Sequence, residues 1–313
     1  MSVAPAETAP VIPDPQESPA AIRVTGLVKH FGSVEAVRGI DLEVRAGEVF
    51  GFVGPNGAGK STTIRCLLDL IRPTSGTVEV LGHQPRRDGV DVRRRIGYVP
   101  GELRLPGRMT SRQLVTSIGR LRGGLDEARV DSIAGRLQID LDRPTRDLSS
   151  GNRRKVALLL AFAPGPELLV LDEPTSGLDP LMQHEFLALV ADAREAGSTV
   201  FLSSHVLSEV QRAADRVAVL RAGRIVAQGT VDELRGRVRQ RIEVWFAEDV
   251  DEAEIRAIPG LEDLVVEGRR WSATLSGPVD PVLAVLARHP VASLVLEEPN
   301  LEDAFLELYG DDS

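Results

Sequence analysis

A single cysteine, Cys66, in 313 residues excludes an intramolecular disulfide framework and suits a reducing compartment. Aromatic residues are only 4% of the chain, which leaves few platforms for stacking unpaired bases. Basic residues are outnumbered, 37 Lys and Arg against 46 Asp and Glu, for a formal charge of −9, and that balance disfavours a broad phosphate-backbone footprint. Nucleic acid is therefore not expected as a main partner. No run approaches the ~18 consecutive apolar residues of a membrane span, and the N-terminus lacks the basic-then-apolar order of a signal peptide. The expectation is a soluble, cytosolic chain unless a membrane partner holds it. None of the histidines pairs with another at metal-ligand spacing.

What is present is ordinary globular material, 42% hydrophobic with a mean hydropathy of −0.04, enough for one large domain and a small one. Residues 1–20, rich in Pro and Ala, cannot bury enough apolar surface to offset ordering entropy and are expected to form a disordered tail. From Ile22, alternating stretches (IRVTGLV, IDLEV, EVFGFVG) read as strands. TVEVLG and RIGYVPG are expected to form a further strand pair. Apolar residues at three- and four-residue spacing then predict an all-helical insert over about 104–163. Beyond it, ELLVLDEP reads as a buried parallel strand. The helix that follows is capped by Asp179, with Pro180 at its first position. TVFLSSH and the hairpin-like pair RVAVLRAG and RIVAQGT complete a domain spanning 21–236, and this alternation argues for a mainly parallel sheet with helices on both faces. Residues 237–313 have the order β-α-β-β-α-β plus a final helix, LEDAFLELYG, as in a small ferredoxin-like α+β unit.

Three places carry chemistry. GPNGAGKS, comprising Gly54, Pro55, Asn56, Gly57, Ala58, Gly59, Lys60 and Ser61 and followed by Thr62, matches G-x-x-x-x-G-K-[ST] in the strand-loop-helix context that motif requires. Its glycines let backbone N–H groups face phosphates, Lys60 reaches the β/γ oxygens, and Ser61 can ligate Mg²⁺. LLVLDEP presents Asp172 and Glu173 at the carboxyl end of a strand, where open α/β sheets bind ligands. Consecutive strand residues point to opposite faces, so the two acids need different tasks: Asp172 suits an outer-sphere Mg²⁺ contact, and Glu173 suits polarising a water for attack on the γ-phosphate. His205 ends a later strand and should arrive at the same edge, able to donate to a γ-phosphate or hold the water. A third segment, DLSSGNRRK, opens an apolar helix with small residues and so offers a second anion seat on the same polypeptide.

These residues, with SGLD directly after the acidic strand, resemble the nucleotide-binding subunit of ABC transporters over about residues 22–236. The resemblance implies a P-loop NTPase domain with antiparallel β and helical subdomains, ATP and Mg²⁺ as cofactors, and Phe31 stacked on adenine. It further implies that Ser149, Ser150, Gly151 and Asn152 form the signature turn, that Ser176 to Asp179 cross to a partner copy, and that His205 is the switch histidine. In that family two such domains face each other head to tail, each signature helix capping the ATP on the other's phosphate loop. The closing EEPNLEDAFLELYG resembles the accessory domain of drug- and antibiotic-export ATPases of the daunorubicin-resistance type. That implies a separate ABC-2-type permease and a place at the cytoplasmic face of the membrane.

The sequence departs from the family pattern in two places. Ser150 and Asn152 stand where LSGGQ has its first glycine and its glutamine. After IGYVP come Gly101 and Glu102 in place of the glutamine that binds Mg²⁺. Glu102 is either a substitute ligand, a carboxylate being a good partner for Mg²⁺, or a surface acid. A different function class, a soluble ABC ATPase acting on ribosomes or DNA, is the alternative reading, as is a module that binds ATP without turning it over.

Overall fold

The computed structural model describes residues 19–235 and 240–297. The expected tail up to residue 18 and the final helix LEDAFLELYG lie outside them. The chain divides into two compact units, one reaching to Val206 and including Arg212–Ala227, the other comprising Leu207–Gln211 and everything from Gln228 onward.

In the first unit, β1 (Ala20–Phe31) and β2 (Val34–Arg45) form an antiparallel ribbon. β3 (Val49–Val53) is buried at every position and runs into the glycine loop and α1 (Lys60–Leu67), the strand-loop-helix order read from the sequence. β4 (Ser75–Val80), α2 (Pro85–Arg94) and β5 (Ile96–Val99) follow. Here the expectation of a strand pair fails, because β4 pairs with β1 while β5 pairs in parallel with the later strand of residues 168–172. The polar helix α2, starting on Pro85, carries the chain between the two sheets. Its sequence, PRRDGVDVRR, buries only Pro85 and Val92, too narrow an apolar stripe to announce a helix.

The helical layer comprises α3 (Ser111–Arg122), α4 (Glu127–Arg136), a 3₁₀ turn (Thr145–Asp147) and α5 (Ser150–Phe162). Local chemistry sets these ends. Thr110 and Gln113 form a capping box before α3, Gly123 ends it at φ 93°, and Asp126 caps α4, each satisfying backbone groups that a helix terminus leaves open. Then come β6 (Leu168–Asp172), α6 (Pro180–Glu195), β7 (Thr199–Ser204), α7 (Leu207–Ala213), β8 (Arg216–Arg221), β9 (Arg224–Thr230) and α8 (Val231–Arg235).

The strands form two sheets, β2-β1-β4 and β5-β6-β7-β3-β8-β9. From β5 to β8 the pairs of the larger sheet are parallel, so loops that leave these strands emerge at one edge. β8 and β9 join through Ala222 (φ 45°) and Gly223 (φ 79°), the two left-handed residues a tight hairpin needs. Phe50 and Phe52 of β3 pack on Phe201 of β7, with ring centroids 6.0 and 5.3 Å apart, at the centre of a core shared with Ile22, Ile64, Val170 and Leu220.

The second unit contains a β-α-β-β-α-β arrangement of β10 (Gln240–Phe246), α9 (Glu252–Arg256), β11 (Leu261–Glu267), β12 (Arg270–Leu275), α10 (Asp280–Leu286) and β13 (Val291–Leu296). Its sheet is antiparallel in the order β11-β12-β10-β13. Ile242, Val244 and Phe246 alternate inward along β10, as period two demands, and meet Trp271, Leu275, Val282 and Leu286.

Candidate functional site

Strand register builds the site. Leu171 of β6 is level with Val99 of β5 and Leu202 of β7, and Asp172 is level with Ser203, itself level with Phe52 of β3. Pro100, Asp172, Ser203 and the start of the glycine loop therefore leave the sheet along one row.

The glycine loop needs its glycines for space as well as for turn geometry. A β carbon on Gly54 would lie 2.2 Å from the Leu220 carbonyl oxygen, and one on Gly59, where φ is 111°, would lie 2.5 Å from that of Ala36. Real side chains do not fit at such distances. Pro55, Asn56 and Gly57 are exposed, Ala58 is buried, and Ser61 and Thr62 are half-buried on the first turn of α1. The Lys60 ammonium, 5% exposed, donates to the carbonyls of Gly54 at 2.5 Å and Pro55 at 3.3 Å.

Lys60 also reaches the acidic strand. Its Nζ lies 3.2 Å from Glu173 Oε1. The approach is an ion pair without hydrogen-bond directionality, since that buried oxygen has no hydrogen-bond partner. The other oxygen, Oε2, is 2.6 Å from Nδ1 of His205. Glu173, Lys60 and His205 thus converge as the sequence suggested.

One part of the sequence reasoning needs correction. Glu173 does not alternate with Asp172 along the strand, because its backbone is left-handed at φ 50° and β6 has ended at Asp172. A left-handed residue breaks the pleat, and this turn brings the Glu173 carboxylate to Lys60 and His205.

Asp172, 1% exposed, accepts a 2.7 Å hydrogen bond at Oδ1 from the Ser203 hydroxyl. A β carbon on Gly101 would lie 3.0 Å from its Oδ2. The carboxylate's charge is felt nearby: Tyr98 is pushed up to about 12, first by burial and then by Asp172. Glu102 is exposed and makes no ion pair or hydrogen bond among the described residues. The residue packed on Asp172 is Gly101.

At the other anion seat, Ser149 caps α5 by accepting from Asn152 N at 3.2 Å. Ser149 and Ser150 are exposed, while Gly151 and Asn152 are half-buried. Gly151 is packed so tightly that a β carbon would lie 2.8 Å from the Gly177 carbonyl. The signature turn therefore rests on the Ser176–Asp179 loop of its own chain. Asp179 is committed to capping α6, accepting from Met182 N at 3.0 Å. Phe31 is 49% exposed, with the Lys29 ammonium 4.8 Å from its ring centroid, leaving ring surface free for stacking.

Two residues escaped the sequence reading. Ser203 looks like any small residue in FLSSH, and Arg154 is one of three adjacent basic residues in NRRK, with nothing local to set it apart. The structure buries Arg154 to 7% exposure because α5 is enclosed on nearly every side from residue 154 onward. No periodic polar stripe marks such a helix.

The comparisons agree with this geometry. The family model described as ABC transporter matches residues 37–176. A daunorubicin resistance ATP-binding protein of Streptomyces coeruleorubidus is 37% identical over 307 residues, 93% of this chain and 96% of that protein. A bacitracin transport ATP-binding protein of Bacillus licheniformis is 30% identical, covering 92% of this chain and 97% of its own length. A solved ATP-binding subunit of an ABC transporter is 28% identical with a TM-score of 0.64, covering 69% of this chain and 92% of that one. With the glycine loop, the acidic strand end and the small-residue start of α5 on this fold, and relatives of 30–37% identity along most of its length, the chain belongs to the ATP-binding, ATP-hydrolysing subunits of ABC transporters.

Proposed function

We propose that this chain energises export of a drug, antibiotic or other hydrophobic compound through a separate ABC-2-type membrane permease at the cytoplasmic face of the membrane. It works as a pair of copies, each signature turn closing the ATP held on the other's phosphate loop. One observation carries the pairing: Ser149 and Ser150 stand exposed at the start of α5 on a chain that already has its own phosphate cradle. A helix start is a seat for an anion, and a second cradle is of use to a nucleotide presented by another copy. The relatives named for daunorubicin resistance and bacitracin transport support the export direction. We take residues 21–236 as the ATP-binding domain and 237–313 as an accessory domain.

In this reading, Phe31 stacks on adenine, and Gly54 to Thr62 cradle the phosphates. Lys60 exchanges its contact with Glu173 for a γ-phosphate oxygen, and Glu173 takes the proton of the attacking water while His205 orients the carboxylate through Oε2. Mg²⁺ fits the donors, which are hard oxygens: the Ser61 hydroxyl, half-buried on the first turn of α1, would be a ligand and the buried Asp172 carboxylate an outer-sphere partner. When bound, Mg²⁺ would neutralise charge on the phosphates. Of the two readings of Glu102, its exposure supports that of a surface acid.

Subunit mixing tests the pairing. Lys60→Ala disables the phosphate loop, and Ser150→Arg blocks the signature turn at an exposed position. Each variant alone should hydrolyse almost no ATP, and an equimolar mixture should recover activity, because a mixed pair contains one intact composite site. A mixture as inactive as its components means that each copy works alone.

A further inference from the structure

Arg154 is a buried cation that none of the chemistry above employs. Its guanidinium donates from Nη1 to the Pro100 carbonyl at 2.7 Å and from Nη2 to the Gly101 carbonyl at 2.8 Å. Burial lowers its pKa, and the charges of Asp172 and Glu173 oppose that shift. Taking a guanidinium out of water without a hydrogen-bonded carboxylate is costly, so the two carbonyls and the nearby acidic field must hold it. Both carbonyls belong to the loop that leaves β5. The second is that of Gly101, the residue against Asp172 Oδ2, while Ser203 grips Oδ1 on the other side.

Following the contacts outward, α5 begins at the signature turn and is packed against β5, where a β carbon on Gly97 would lie 2.4 Å from the Ala161 carbonyl. Arg154 thus joins α5 to the Pro100–Gly101 peptide by two hydrogen bonds, and that peptide stands so close to the Asp172 carboxylate that a β carbon on Gly101 would crowd it. A guanidinium fork fixes two consecutive carbonyls at once, which a single ammonium cannot do.

We propose that Arg154 is a positioning residue: through the Pro100 and Gly101 carbonyls it ties the start of α5 to the Asp172 carboxylate. A displacement of α5 when its signature turn meets nucleotide is thereby transmitted to Asp172. The inference rests on the reading of Asp172 as the carboxylate on the Mg²⁺ side.

The test uses the full chain carrying Glu173→Gln, so that nucleotide is not consumed, and reads the Mg²⁺ dependence of binding of a fluorescent ATP analogue. Arg154→Gln, able to serve one carbonyl at most, should raise the Mg²⁺ concentration for half-saturation about tenfold, the usual size for loss of a residue that orients a ligand. Binding measured in EDTA should change less than about threefold, and Arg154→Lys should recover part of the loss. Gly101→Ala, which pushes the loop off Asp172, should shift the Mg²⁺ curve in the same direction. The double variant Arg154→Gln with Gly101→Ala should be little worse than the stronger single change, since neighbours acting through one contact are not additive.

A lowered melting temperature with an unmoved Mg²⁺ curve for Arg154→Gln, or full additivity with Gly101→Ala, overturns the proposal. Asp172→Asn separates the two levels. If it leaves the Mg²⁺ curve in place, the Mg²⁺ reading itself fails; if it moves the curve and Arg154→Gln does not, only the positioning role is lost. Should Arg154→Gln fail to fold, Arg154→Lys and Gly101→Ala carry the same comparison.

Discussion

Replacing Glu173 with glutamine removes a negative charge and keeps the side-chain shape, so two effects of opposite sense can be separated. On the chemical step, a positioned general base contributes about 10²–10⁴-fold, or about 2.7–5.4 kcal/mol of barrier at about 1.36 kcal/mol per decade. On the ground state, Lys60 loses an ion-pair partner at 3.2 Å yet keeps its bonds to the Gly54 and Pro55 carbonyls, so the loop should hold its shape. Freed from the carboxylate, Lys60 engages a phosphate more readily. If the lost contact is worth about 1 kcal/mol, ATP binds up to about fivefold more tightly. The expected outcome in Glu173→Gln is a kcat below about 1% of wild type by phosphate release, with an unchanged or smaller Kd in a fluorescent-nucleotide titration. A kcat within about threefold of wild type means another group accepts the proton. A Kd raised more than about tenfold means that Glu173 props the phosphate loop, and the assignment of roles fails.

Two further outcomes follow from buried contacts. Ser203→Ala leaves Asp172 Oδ1 without its 2.7 Å partner and should cost about 1–3 kcal/mol, read as a lower urea midpoint; an unchanged midpoint would show that the carboxylate finds other compensation. Cys66, 2% exposed, has its thiol pushed from 9.0 to about 11 by burial, with Lys29 opposing. Because the folded value lies above the unfolded one, the stability linked to this thiol is complete below about pH 9 and declines as pH rises through 11. Melting temperatures from pH 8 to 11 should fall less steeply in Cys66→Ala than in wild type, and parallel curves would refute the linkage.

Much of the site was legible because its parts are local. A phosphate loop is one strand end, one turn and one helix start, and the positive φ at Gly57 and Gly59 is a demand that a short window of sequence states openly. The same holds for Ser149 and Asp179, whose capping bonds reach only three residues ahead. Arg154 was hidden because its partners, Pro100 and Gly101, lie more than fifty residues away, and a charged residue in a basic run carries no local sign that it will be buried. The strands β4 and β5 were misjoined because alternation reports a strand and not its neighbour.

The sequence alone determined most of the elements, α2 excepted, their order and the residue types at their ends, since backbone sterics, helix caps and apolar periodicity act over a few residues. Only the tertiary structure decided that β5 lies beside β6, that Glu173 turns left-handed toward Lys60 and His205, and that a guanidinium spans from α5 to the loop over Asp172. Those outcomes depend on which distant surfaces exclude water together, and burial of that kind is a property of the packed chain.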